Sequence, residues 1–138
     1  MPNPVLEEIG QFLVDKGHGT LGASTDYGIF LGIYPNLPDG MIAVFELPGD
    51  APEMLLADSL GWESFRFSIY VRAVDYDIAR AKISALRSDL ILVANQTIAA
   101  GSATYLTIDA LDTPTTLNRD QKQRETLVAM FHAKRLPT

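Results

Sequence analysis

Cysteine is absent from all 138 residues, which removes disulfide frameworks, thiolate metal sites and thiol nucleophiles together. Long apolar runs are missing as well. LILVA at 90–94 is as long as any, far short of the roughly 20 residues a membrane-spanning helix needs. The opening MPNPVLEE lacks the basic start and apolar stretch of a secretory signal. Positive charge is scarce: 11 Lys and Arg stand against 17 Asp and Glu, a net charge of −6. Proteins that wrap DNA or lie on membrane surfaces need a cationic footprint, so the balance argues against both classes while leaving room for a local basic patch.

Catalytic signatures are equally thin. There is no G-x-S-x-G elbow and no S-x-x-K. The two histidines, His18 and His132, have no second ligand at metal-binding spacing, so no metal or cofactor is expected. GHGTLG at 17–22 matches G-x-G-x-x-G by letter, but a helix pattern precedes it and a strand pattern follows, the reverse of the dinucleotide-binding context. The carboxylate pairs Glu7/Glu8 and Asp75/Asp77 sit at helix starts, where capping and the helix dipole account for them.

What is present is a folding pattern. At 62–73, WESFRFSIYVRA alternates as a strand: Phe65, Phe67, Ile69, Val71 and Ala73 share one face, while Ser64, Arg66, Ser68, Tyr70 and Arg72 share the other. The second set, Arg66, Tyr70 and Arg72 among it, is expected to face away from the core. Asp75 then sits as an N-cap, and Tyr76, Ala79, Ile83, Leu86 and Leu90 form a helical stripe that packs on the apolar strand face. A first helix starts at Asn3 (N-cap) and Pro4 (first helical position), buries Val5, Ile9, Phe12 and Leu13, and stops at Gly17.

Strands are expected at 27–34, 41–47, 105–111 and 125–134, with a short one at 95–100. PNLPDG at 35–40 reads as the turn of a hairpin between the first two. TPTTLNRDQKQR at 113–124 is polar and turn-like. The result is a single α+β domain over 1–138: a mixed, mainly antiparallel sheet with two principal helices packed on one face, in the order α-β-β-β-α-β-β. A chain of this size, 47% hydrophobic, buries about two-thirds of its unfolded surface and needs no staple.

The irregular stretch 48–61 is unusually apolar. Met54, Leu55, Leu56 and Leu60, extended by Trp62, are either a short helix over the protein's own core or a subunit contact. Lys134 and Arg135 near the end of an acidic chain read as a solvated terminus.

Three segments together resemble the tailed-bacteriophage minor capsid or tail-terminator proteins: VLEEIGQFLVDKGHGTLG with the IYPNLPDG turn, FRFSIYVRAVDYDIARAKISAL, and DTPTTLNRDQKQRETLVAMFHAKR. They run in order over nearly the whole chain. NRDQKQR departs from the Gly-rich turn expected in the last hairpin. The resemblance implies a non-enzymatic virion protein of the head–tail junction, assembled in the host bacterial cytoplasm. Such a subunit closes into a homo-oligomeric ring, expected to be hexameric, that caps the tail tube and meets the tube protein and the head connector or neck proteins. Genomic DNA would pass through its lumen without specific binding, Arg66, Tyr70 and Arg72 would face solvent, the ring contact or that lumen, and no membrane is involved. A head-completion (neck) protein is the alternative role; a small soluble enzyme or ligand-binding module is the alternative of a different class.

If the 48–61 stretch is a subunit contact, Leu55→Asp or Leu56→Asp should abolish ring formation, read by light scattering, and leave the circular dichroism spectrum unchanged. Loss of the fold would assign these leucines to the core, where an unpaired charge is costly.

Overall fold

The computed structural model describes residues 4–22, 27–35, 39–47, 53–54, 61–98, 104–119 and 124–135. Helix α1 (Val5–Asp15) buries Val5, Ile9, Phe12 and Leu13, the face its apolar spacing predicts. Pro4 holds the N-cap position in an extended conformation (φ −55°, ψ 144°) rather than the first helical turn; Asn3 lies outside the described residues. At the other end the Gly17 amide donates to the Val14 carbonyl at 2.9 Å and the His18 amide to the Leu13 carbonyl at 3.0 Å. This Schellman closure needs a left-handed residue after the C-cap, and Gly17 supplies it at φ +81°.

Nine strands are present among the described residues: β1 (Thr20–Leu21), β2 (Gly28–Leu31), β3 (Met41–Leu47), β4 (Glu53–Met54), β5 (Gly61–Ala73), β6 (Ala94–Thr97), β7 (Thr104–Ala110), β8 (Thr115–Arg119) and β9 (Glu125–Arg135). Seven form a continuous path in the order β1-β2-β3-β5-β9-β7-β6, with β4 on β5 and β8 on β9. Helix α2 (Tyr76–Ile91) starts at Asp75, whose carboxylate accepts from the Asp77 amide. The α+β class, the mainly antiparallel mixed sheet and the helix on either side of the long strand agree with the sequence.

Register explains the core. Ile42 pairs with Val71 and Val44 with Ile69, while Val71 pairs with Leu127 and Phe67 with Phe131. These rows stand on one face, and α1 and α2 cover that face within a single apolar cluster. Phe67 and Phe131 stack at 5.3 Å. Two or more buried aromatic and branched residues per row give this face most of its stabilisation, about 25 cal/mol per Å² removed from water.

Three expectations are corrected. The first two long strands do not form a hairpin: β2 and β3 run parallel, with Ile29 opposite Ile42. The chain leaves β2 at Gly32 (φ +76°) and returns over the other face of the sheet to start β3 in the same direction. PNLPDG marked a reversal of the chain, but turn chemistry does not say into which slot the chain returns. Tyr76 is 41% exposed, because the helix stripe begins one turn later at Ala79. And the polar stretch after 113 is not all turn, since Thr115–Arg119 pairs antiparallel with β9.

Gly19 has a second, purely steric requirement: a Cβ there would collide with the Tyr27 carbonyl oxygen. Urea unfolding should therefore show Gly19→Ala as the larger loss, about 2 kcal/mol or more, and Gly17→Ala as about 1 kcal/mol from its left-handed backbone alone. Equal losses would contradict the close approach of 19 to 27.

Candidate interaction surfaces

The strongest electrostatic feature is internal. Glu8 on α1 is 2% exposed, and its Oε1 accepts from Arg135 Nη1 at 2.6 Å and from the Tyr105 hydroxyl at 2.8 Å. Arg135 Nε also donates to Glu63 at 3.3 Å, and the guanidinium lies 4.7 Å from the Phe65 ring centroid. A buried carboxylate is tolerated only with such partners. Burial, then the Glu8 hydrogen bond, pushes the Tyr105 hydroxyl well above the usual tyrosine range. The terminal arginine that the sequence placed in solvent is thus the counter-ion that fastens α1 to β7 and β9.

A second polar cluster holds the β2–β3 connection against the sheet face away from the helices. The Tyr34 hydroxyl is 2.8 Å from Thr126 Oγ1. Asp39 accepts from Arg72 Nε through its carbonyl (3.2 Å) and from Arg124 Nη1 through its carboxylate (3.2 Å). Arg72 lies over the Tyr34 ring at 5.2 Å, and Tyr70 stands edge-on to both Tyr34 and Phe45.

This arrangement sorts the strand residues that alternation grouped together. Arg66 is exposed and Tyr70 half-buried. Arg72 is 2% exposed, so it does not line a lumen: the returning connection covers it, and it serves as a structural donor. The hydroxyls of Ser64 and Ser68, also buried, have no hydrogen-bond partner.

On the helix side, His18 Nε2 lies 2.5 Å from Asp89 Oδ2, tying the end of α1 to α2. Lys82 Nζ sits 4.5 Å from the Tyr27 ring centroid, and burial lowers its pKa below the usual lysine value. His18, Tyr27 and Lys82 line a shallow groove with Asp77, Ile78, Ala81 and Ala85. Among the described residues no group of three His, Asp or Glu side chains could hold a metal ion, and no helix is long and apolar enough to cross a membrane.

Of the predicted apolar contact, Met54 and Trp62 fall in strands that pair with each other, with Glu53 opposite Trp62 and Met54 opposite Gly61. Leu55, Leu56 and Leu60 lie outside the described residues. Sequence reading missed the buried Glu8–Arg135 pair and the clamp on Asp39. Both join residues far apart in the chain, and only the period-2 position of Arg135 in the last strand, on the same face as Phe131 and Ala133, signalled its burial.

Comparison with known proteins gives two findings. A family model described as bacteriophage tail terminator protein matches residues 12–136. Among solved structures, a chain from the virion of a native gene transfer agent particle is similar at a TM-score of 0.58 and 16% identity, covering 96% of this chain and 95% of that one. At that identity the likeness concerns the fold. No curated protein matches the chain.

Glu8→Ala should cost about 3 kcal/mol in denaturant unfolding, because it removes the nearest and most buried partner of the Arg135 charge. Replacing both partners, Glu8→Met with Arg135→Met, should recover most of that loss. Additive losses in the double variant would mean that the two charges do not act as a pair.

Proposed function

From a chain that belongs to the bacteriophage tail terminator family, we propose a structural, non-enzymatic virion subunit that forms a ring at the head-proximal end of the tail. The ring stops tail-tube polymerisation and presents the surface that the head or neck proteins join. The observation that carries this reading is the family match over 125 of 138 residues (12 to 136 inclusive). The gene transfer agent neighbour, a virion chain of the same fold and length, supports it.

The physical character of the molecule agrees. Its buried polar groups, Glu8, Tyr105, Arg135, Arg72 and Arg124, are spent on holding elements together. A net charge of −6 suits a conduit for DNA, since like charge keeps the passing genome from adhering to the wall. Partners are then other copies of this chain, the tail-tube protein and the head-side connector, and the site of action is the virion.

Deleting the gene and imaging the lysate tests the role. Tails of uncontrolled length are expected. Tails of normal length beside leaking or tailless heads would instead assign a head-completion role, and normal infectious particles would refute both.

A further inference from the structure

Resting on the ring reading above, we infer that the subunit contact is a seam between the two ends of the main strand path, β6 of one copy against β1 of the next. The strand path ends at β1 on one side and β6 on the other. Every residue of both edge strands is exposed. Neither Thr20–Leu21 nor Ala94–Thr97 (ANQT) contains a charge or a proline, the devices by which proteins usually keep edges from pairing.

The flanks continue the pattern. Leu92, immediately before β6, is 75% exposed, the highest value for a large apolar side chain among the described residues, with Ile91 beside it at 44%. On the opposite edge Leu21 is 41% exposed and lies in the uncharged run Gly19–Gly22 (GTLG).

Charge selects these edges over the faces. Copies that each carry −6 repel wherever like charges meet, and the repulsion is least at neutral surface. The helix layer presents Glu7, Asp15, Asp75 and Asp77 against Lys16 and Arg80, a net acidic surface, and the opposite face presents Arg66 and Asp109, all exposed. The sheet ends are the uncharged stretches. Because the two edges differ, the contact is heterologous, and repeated head to tail it closes into a ring when the rotation allows.

Two features keep the seam weak. β1 has two residues, and Asn95 in β6 adopts a left-handed backbone (φ +49°) that interrupts the edge. A single seam therefore makes few main-chain bonds, and closure of the ring makes them cumulative. Free subunits are then dispersed when dilute and associate at high concentration or where a template gathers them.

The absence of cysteine makes a clean test. Thr20→Cys and Gln96→Cys place one thiol on each edge. Six inter-strand spacings of about 4.8 Å separate these edges by about 29 Å within one copy, beyond the reach of a short bis-maleimide. Treated at high protein concentration, the double variant should give a covalent ladder ending in one closed species. Each single variant alone should remain monomeric, and the two singles mixed should give a dimer. Leu92→Asp should weaken association at least tenfold without changing the thermal midpoint. Self-cross-linking of either single variant, or no ladder from the double variant, overturns the seam. If light scattering shows a ring that does not cross-link, the seam fails and the ring stands. A chain that stays monomeric at every concentration, with no ladder, refutes both.

Discussion

The antiparallel pairing of β5 with β9 is unbroken over eleven residue pairs, from Glu63 opposite Arg135 to Ala73 opposite Glu125. Both strands are internal to the sheet, so neighbours on either side are fixed by them: β3 and β4 register on β5, β7 and β8 on β9. A slip of one residue would turn Phe67, Ile69, Val71, Leu127 and Phe131 away from the helices and bring Arg66 and His132 under them. Both polar clusters depend on the same register, since it sets Arg72 beside Thr126 and Arg135 beside Glu63.

Local patterns carried much of this in advance. The alternation at 62–73, the Asp75 cap and the Gly17 stop each rest on a short-range rule, and each reappears in the structure. What was illegible is what distance along the chain decides. Nothing in PNLPDG distinguishes a hairpin from a connection that crosses the sheet and starts a parallel strand. That choice is enforced by Tyr34 and Asp39 finding Thr126, Arg72 and Arg124, as many as 92 positions away.

Arg72 shows the same limit at one residue. Alternation placed it correctly on the face away from the helices, but a face that lacks a helix is not thereby open to water. The returning connection roofs it. Arg66, six residues earlier on the same face, lies beyond that roof and is exposed. The absence of cysteine and of the common nucleophile motifs is a property of the sequence itself. The surfaces that would do the work depend on where the sheet ends, which only topology reveals.

The ion pair between Glu8 and Arg135 joins positions 127 apart. During synthesis the first helix is complete long before its counter-ion exists, so Glu8 cannot be buried at low cost until β9 has been made. Fragments that stop short of β9 lack the strand on which β5, β7 and β8 register. Acquisition of the native state therefore waits on the synthesis of β9, which supplies both the counter-ion and the strand at the centre of the sheet.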